Sequence, residues 1–348
     1  MTTRRPVEPF ELGSPWQGFD PFLFTAYHPD DYPRGNAGLG PDASLAGRPL
    51  GNDFGNPQGW NMYHGTTVPG FPAHPHRGFE TITIALRGLV DHSDSLGAAA
   101  RFGNGDVQWL TAGRGISHAE MFPLLDRDQG NPLELFQIWL NLPAAAKQVE
   151  PNFTMLWRDE LPHHVEVGAS GARAEVTVVA GAFGPVRQPV TPPDSWAADP
   201  AAGLAIWVLD VAEGGELALP VADGAVTRVI YLFDGPFEAE VGGVALHDGQ
   251  GAVLDASREL PLIARRGRVR ALVLQAAPIG EPVVQHGPFV AASRAELVRA
   301  FEDYQRTRFG GWPWSVDDPV HPASAGRFAR YPDGHVARPE GEPTVTSR

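Results

Sequence analysis

Two short histidine motifs contain the residues of this chain that are best suited to chemistry. The stretch FPAHPHRGFET places His74 and His76 two positions apart, and GDVQWLTAGRGISHAEMF contains His118 and Glu120 with the same spacing. Side chains two positions apart on a β-strand lie on the same face of that strand. Facing each other inside a small barrel, the two pairs would offer three imidazoles and a carboxylate. Such a donor set suits a divalent metal with open coordination positions.

These histidines also have a simpler interpretation. An isolated His-x-His pair is more often a surface feature or a hydrogen-bonded pair than a metal site. The second pair, and the placement of both pairs beside strand-like segments, favour the metal interpretation. The chain contains no cysteine, so any metal must be bound through nitrogen and oxygen.

Strand-like segments surround both motifs. Residues 79–93, FETITIALRGLVDHS, alternate and turn at Gly88, which predicts two antiparallel strands. We expect Glu80, Ile82 and Ile84 to face the barrel interior. Further strands are predicted at 106–110, 134–142, 174–181, 204–211, 226–233 and 269–277. The 40 glycines and 34 prolines among 348 residues agree with an all-β protein of two domains.

One helix is predicted, near the C-terminus. It runs from Arg294 to Arg308, with Ser293 and Glu296 as a capping box. By contrast, residues 28–70 show no sustained period and predict one long irregular loop. We expect Trp60, Met62 and Tyr63 to anchor this loop as a flap at the cavity entrance or against a second subunit.

The two halves of the chain resemble each other. ITIALRG followed by GDVQWL in the first half has a counterpart in VIYLFDG followed by GQGAVL in the second, which suggests a duplicated barrel. The positions that match the four candidate ligands are Val221, Asp223, Leu262 and Ala264. We therefore expect the second barrel to hold no metal.

Charge limits the class of partner. The formal net charge of −14, without a long basic cluster, makes direct binding of nucleic acid unfavourable. The N-terminal stretch lacks the apolar region of a signal peptide, and no apolar run reaches the length of a membrane span. We expect a cytoplasmic protein that binds a small molecule or another protein.

The amino-acid sequences of the motifs resemble those of one family. HPHRGFETIT together with GDVQWLTAGRGISHAEMF is similar to the pirins, and the similarity extends from about Gly70 to Phe309 through LELFQIWLNLP and EPVVQHGPFV. This resemblance implies an all-β bicupin: two stacked antiparallel cupin barrels with a short C-terminal helix. The expected division is 1–70 for the N-terminal segment and loop joining the first barrel, 71–150 for the metal-binding barrel core, 151–290 for a degenerate second barrel, and 291–348 for the helix and tail.

The resemblance also implies the ligands. In pirins one mononuclear metal, commonly iron, lies in the N-terminal barrel, and the ligands carry over as His74, His76, His118 and Glu120. The general cupin pattern would instead take its carboxylate from the position of Glu80. With Glu120 as the ligand, Glu80 becomes an acceptor for a ligand's second N–H, or a partner of Arg77 or Arg87 in a salt bridge. Zn, Ni, Cu, Co or Mn could replace Fe(II) in purified protein.

Two functions follow from the resemblance. Some pirins are quercetinases, which open the flavonol ring with dioxygen, and Glu120 would then also act as a catalytic residue that accepts the flavonol hydroxyl proton. Other pirins are non-catalytic, and the redox state of their iron alters how they contact a transcription regulator or a metabolic enzyme. Both functions need the same ligands, so the sequence leaves both open.

Overall fold

In a computed structural model, which describes residues 5–168 and 170–341, most of the regular structure is antiparallel β-strand. The strands of the first part of the chain are β1 (Val7–Glu11), β2 (Trp16–Gln17), β3 (Phe22–Tyr32), β4 (Gly70–His76), β5 (Phe79–Arg87), β6 (Leu89–Asp94), β7 (Ala99–Gly103), β8 (Val107–Thr111), β9 (Ile116–Met121), β10 (Asn131–Asn141) and β11 (Asn152–Leu156).

The second part continues this pattern. Its strands are β12 (His163–Val167), β13 (Arg173–Ala180), β14 (Ala182–Phe183), β15 (Val186–Arg187), β16 (Ala205–Val211), β17 (Glu216–Leu219), β18 (Thr227–Phe233), β19 (Glu238–Val241), β20 (Val244–His247), β21 (Gln250–Leu254), β22 (Leu260–Arg266), β23 (Val269–Ala276), β24 (Val284–His286), β25 (Phe289–Ala291), β26 (Phe328–Arg330) and β27 (Val336–Ala337). The α-helix is α1 (Arg294–Thr307), and short 3₁₀ turns occur at Ala144–Ala146, Arg158–Glu160, Trp196–Ala198, Pro200–Ala202, Arg308–Gly310 and Ala323–Ala325.

The chain forms two compact units, and each contains one barrel. The first barrel lies in the unit made of Ala26–Asp159 and the described residues from Glu281 onward. One of its sheets has the order β11-β8-β5-β10-β3, and the other has the order β27-β26-β7-β6-β9-β4. Its core contains Phe102, Leu110 and Phe153. In the second sheet, β9 lies between β4 and β6, and this placement positions both histidine motifs.

The second barrel lies in the unit made of the described residues up to Thr25 and Glu160–Gly280. Its sheets have the orders β1-β21-β18-β23-β16-β13-β12 and β17-β22-β19-β20. Its core is apolar and includes Trp207, Leu232, Leu262 and Ala264. The all-β expectation with two cupin barrels and a C-terminal helix is thus confirmed.

The turn at Gly88 shows how the sequence fixes a strand pair. Gly88 joins β5 to β6 with a φ of +77°, a backbone conformation that residues other than glycine rarely adopt. A Cβ at this position would also lie 2.8 Å from the Leu133 side chain and 2.9 Å from the Pro132 carbonyl oxygen. Only glycine fits there, so the chain reverses where the sequence predicts.

The predicted helix is confirmed together with its cap. The Ser293 hydroxyl accepts a bond from the Glu296 N–H at 3.3 Å, and the Glu296 carboxylate accepts from the Ala292 N–H at 3.0 Å. Leu297 and Phe301 pack on the small cluster around Phe289. Within the described part of the chain, no helix has the length and apolar character needed to cross a bilayer.

Three features of the N- and C-terminal regions differ from the sequence-based expectation. Residues 1–70 were expected to join the first barrel, but β1 pairs with β21 at an edge of the second barrel's sheet. Residues 28–32 belong to strand β3, so the irregular segment covers 33–69. Part of the expected tail forms β26 and β27, and β26 extends the first barrel's sheet beside β7. These segments are short or lack a sustained apolar alternation, so the sequence pattern misses them.

Candidate metal centre

Strands β4 and β9 bring the three motif histidines together. His74 lies directly opposite His118 in the antiparallel pair, and His76 lies two residues further along β4. The ring centroids are separated by 4.5 Å for His74 and His118, 4.8 Å for His74 and His76, and 4.9 Å for His76 and His118. One nitrogen from each ring lies within 4.8 Å of the others. The three rings therefore converge on one point, as the spacing predicts.

Burial sets the protonation state of this cluster. His76 and His118 are buried, with 3% and 0% of their surface exposed, and His74 is half-buried. Burial lowers the pKa of His74 to about 4 and holds the pKa values of His76 and His118 well below the usual range for histidine. All three rings are therefore neutral at neutral pH, the form in which imidazole binds a metal.

The hydrogen bonding of the cluster fits a metal. Within the described residues, both ring nitrogens of His118 and Nδ1 of His76 are buried without a hydrogen-bond partner. A buried polar atom without a partner costs about 1–3 kcal/mol. A divalent cation at the point where the rings converge would be bound by such lone pairs, so the residues present fit the group.

Glu120 lies beside the three histidines and is held in place by two polar side chains. Its Oε2 atom is 3.6 Å from Nε2 of His118. Thr83 Oγ1 donates to Oε1 at 3.1 Å, and Gln137 Nε2 donates to Oε2 at 3.0 Å. Burial raises the pKa of Glu120, while electrostatic interaction with nearby His92 and these two bonds act in the opposite direction. The position of Glu120 suits a fourth ligand, and this role stays a prediction.

The predicted interior face of β5 is wrong by one residue. Because Thr83 bonds Glu120, the odd-numbered residues of β5 face the histidine cluster. Glu80 lies on the opposite face, where its Oε1 accepts from Trp109 Nε1 at 3.0 Å and Thr111 Oγ1 at 2.7 Å. The side of β5 that faces the cluster mixes Thr83 with Phe79, whose ring packs on His76, whereas the isoleucines are buried on the other side. The alternation of apolar residues therefore predicted the wrong face of β5 as the one that lines the barrel interior.

Two polar residues of β6 complete the wall beside the cluster and were missed by the sequence analysis. His92 lies opposite Glu120 and Asp94 lies opposite His118 in the ladder between β6 and β9. His92 is fully buried, its ring centroid is 5.5 Å from that of His118, and its Nε2 is 3.1 Å from Asp94 Oδ2. The spacing of two in DHSD is the signal that could have identified them.

Aromatic rings line the other side of His74. Phe71 lies opposite Glu120 in the β4–β9 pair, 6.2 Å from the His74 ring. Tyr63 stacks on Phe71 at 5.1 Å, and Phe122 meets it edge-on at 6.1 Å. Tyr63 and Phe122 are buried, whereas Phe71 and His74 are half-buried, so the Phe71 ring is the accessible part of this aromatic wall next to the cluster. It offers a surface on which a flat aromatic molecule could pack.

The irregular segment 33–69 is part of the barrel rather than a separate flap. Trp60, Met62 and Tyr63 are buried, with at most 3% of their surface exposed, and they belong to the core of the first barrel. Arg48 forms a buried ion pair with Asp53 at 2.6 Å. Tyr63 stacks on Phe71 beside the cluster, but these residues do not pack as the expected flap.

The fold and the site together define a bicupin with a histidine cluster in its N-terminal barrel. The Pirin family model matches residues 50–140, and the Pirin C-terminal cupin domain matches residues 206–310. A Pseudomonas aeruginosa protein provisionally named as a quercetin 2,3-dioxygenase is 37% identical over 240 residues, which cover 69% of this chain and 79% of that protein. Pirin-1 of Arabidopsis thaliana is 35% identical over 246 residues, covering 69% and 78%.

A solved structure agrees with this assignment. The crystal structure of a quercetin 2,3-dioxygenase from Acinetobacter baumannii superposes with a TM-score of 0.67 at 26% identity, covering 87% of this chain and 97% of that one. This chain belongs to the pirin family.

Proposed function

We propose that this pirin is a metal-dependent dioxygenase of the quercetinase type, which acts on flavonol-like enolic aromatic compounds with Fe(II) as its native metal. The observation that carries the proposal is the convergence of three neutral imidazoles within 4.8 Å beside the half-buried ring of Phe71. The likeness to the quercetin 2,3-dioxygenase of A. baumannii supports the choice of reaction.

The residues around the cluster have distinct tasks in this proposal. His74, His76 and His118 hold the metal, and Glu120 supplies the fourth donor and accepts the flavonol hydroxyl proton. Thr83 and Gln137 fix the carboxylate of Glu120 through their hydrogen bonds. Fe(II) in this donor set would supply a Lewis acid and a one-electron redox centre with open positions. Phe71 packs against the aromatic rings of the substrate and orients them.

The metal found in purified protein is a poor guide to the native one. Nitrogen and oxygen sites bind divalent metals with affinity that rises towards copper. Zn, Ni, Cu, Co or Mn could therefore occupy the site after expression, whatever the protein uses in the cell. The test must begin from protein that has been stripped of metal and loaded again.

Oxygen uptake after anaerobic reconstitution with Fe(II) tests the proposal. We expect dioxygen consumption that depends on a flavonol, and its loss in His118→Ala under the same conditions. Glu80→Gln is the matched control, because Glu80 lies on the opposite face of β5. If the iron-loaded protein consumed no dioxygen with flavonols or other enolic aromatics, the result would contradict the proposed dioxygenase activity and favour the redox-sensing function.

A further inference from the structure

A chain of buried hydrogen bonds connects β3 to the aromatic wall of the first barrel. Tyr63 Oη donates to Asp30 Oδ2 at 2.6 Å, and His28 Nδ1 is 2.8 Å from the same Tyr63 oxygen. Asp30 Oδ1 also accepts from the backbone N–H of Asn61 at 2.8 Å and from Asn61 Nδ2 at 3.0 Å. The proposed metal chemistry uses none of these groups, so their arrangement calls for another explanation.

The protons of this chain can be assigned. Burial raises the pKa of Asp30 to about 6 and raises that of Tyr63 above its usual range, so at pH 7.5 Asp30 is mostly a carboxylate and Tyr63 keeps its proton. The single Tyr63 proton is donated to Asp30, which leaves the Tyr63 oxygen to accept from Nδ1–H of His28. Burial lowers the pKa of His28 to about 4, so the ring is neutral and carries only that proton. Its Nε2 atom is therefore a bare acceptor.

The fold directs His28 towards the barrel interior. His28, Asp30 and Tyr32 lie on one face of β3, and Tyr32 belongs to the barrel core. The His28 ring lies 4.9 Å from that of Tyr63 and 5.9 Å from that of Phe71, and Phe71 is 6.2 Å from His74. His28 is half-buried, and within the described residues its Nε2 has no hydrogen-bond partner.

The backbone at Tyr63 shows that this placement is maintained against a conformational cost. Tyr63 has a φ of +55°, a left-handed conformation that is unfavourable for an aromatic residue. Two backbone bonds to Asp53, at 2.8 and 2.9 Å, hold it there. Strained residues tend to occur where a side chain must be aimed for function. Here the strain aims the Tyr63 hydroxyl at both Asp30 and His28.

We propose that His28 is a substrate-specificity residue whose Nε2 accepts a hydrogen bond from a phenolic hydroxyl on the part of the substrate furthest from the metal. Tyr63 and Asp30 are positioning residues that fix the tautomer of His28. Because the ring distances are 6.2 Å from His74 to Phe71 and 5.9 Å from Phe71 to His28, a three-ring flavonol bound at the cluster could reach the His28 ring. This inference rests on the proposed function and adds a preference to it: flavonols with hydroxyls on the pendant ring should bind better than those without.

Binding to protein loaded with Zn(II), which is redox-inert, tests this preference without turnover. Calorimetric Kd values would be measured at pH 7.5 for quercetin and for galangin, a flavonol without hydroxyls on the pendant ring. The wild type should favour quercetin by roughly tenfold, the value of one hydrogen bond. His28→Phe should abolish this preference by weakening quercetin binding alone, and His28→Gln, which keeps an acceptor, should restore part of it. Tyr63→Phe should reduce the preference without altering galangin binding.

His64→Gln is the matched control for this series. The His64 ring also packs on Phe71, at 5.7 Å, but its Nδ1 is bonded to the Gly51 carbonyl oxygen and its side chain is exposed. It should keep the wild-type preference. An unchanged preference in both His28 variants, or equal binding of the two flavonols by the wild type, would overturn the role of His28 even if oxygen uptake is observed. A preference that depends on His28 in a protein without oxygen uptake would support this role while contradicting the dioxygenase.

Discussion

Replacing His118 by alanine should separate the stability of the first barrel from its capacity to bind metal. In the metal-free protein, the substitution removes two buried nitrogens without hydrogen-bond partners among the described residues. Removing each such atom relieves a penalty of about 1–3 kcal/mol, whereas truncating a large buried side chain costs about 2–5 kcal/mol. The two effects oppose each other, so we expect the free energy of unfolding to change by less than the truncation alone would cost, and by no more than about 4 kcal/mol in either direction.

The metal-loaded proteins should differ far more. A ligand at a thousand times its Kd stabilises the state that binds it by about 4 kcal/mol. For a domain of this size, each kcal/mol shifts the Tm by about 2–4 °C, so the wild-type transition should rise by roughly 8–16 °C with saturating Fe(II). His118→Ala should show little of this shift, because two imidazoles and a carboxylate bind more weakly than the complete set.

Anaerobic scanning calorimetry with and without Fe(II), combined with elemental analysis of the dialysed proteins, measures both effects. Glu80→Gln serves as the control, since a glutamine oxygen can still accept from Trp109 and Thr111 on the far side of β5. It should retain metal and the full shift in Tm. An equal shift in wild type and His118→Ala, or a large loss of metal in Glu80→Gln, would refute the ligand assignment.

Three further predictions concern the surroundings of the site. Elemental analysis should find one metal per chain, because Leu262 and Ala264 of the second barrel contribute apolar side chains to its core; two tightly bound ions per chain would contradict the matching of the halves. Gly70→Ala should destabilise the first barrel by about 2–4 kcal/mol in urea unfolding and weaken metal binding, since φ is +131° and a Cβ would lie 2.4 Å from the Glu120 carbonyl oxygen. Arg48→Ala should lower the free energy of unfolding by about 3–5 kcal/mol, because Asp53 would stay buried without its ion-pair partner. The metal content should not change. A loss of metal at wild-type stability would show instead that segment 33–69 reaches the cluster.

The sequence predicted the helix and eight of the 27 strands of the described residues, because the patterns of these elements are local. The spacing of two within each motif, combined with the strand period, predicted that His74 and His76 share one face and that His118 and Glu120 share another. The resemblance to pirins implied that the four residues form one site, but it is the pairing of β4 with β9 that brings the two motifs together. No local pattern contains that pairing.

The errors have physical causes in particular residues. Both faces of β5 are buried, so the isoleucines could not show which face is the interior, and Thr83 on the site face looked unremarkable in a polar-alternating strand. His92 and Asp94 were missed because they lie at the polar end of a predicted strand, where side chains are usually exposed, whereas both side chains are buried. The segment 33–69 lacks periodicity, but Trp60 and Met62 are buried through contacts with residues distant in sequence.

The way the chain is divided between its barrels constrains the order of biosynthesis. The barrel with the histidine cluster begins at Ala26, yet its sheet is extended by β26 at Phe328–Arg330, which follows the last strand of the second barrel in the sequence. Buried Arg101 donates both to Asp91 and to the carbonyl oxygens of His321 and Pro322. These partners leave the ribosome only after the whole second barrel has been made. The barrel that carries the histidines is therefore completed only after the second barrel. A premature stop before residue 321 would yield a protein that contains both histidine motifs but in which Arg101 is buried without these carbonyl partners.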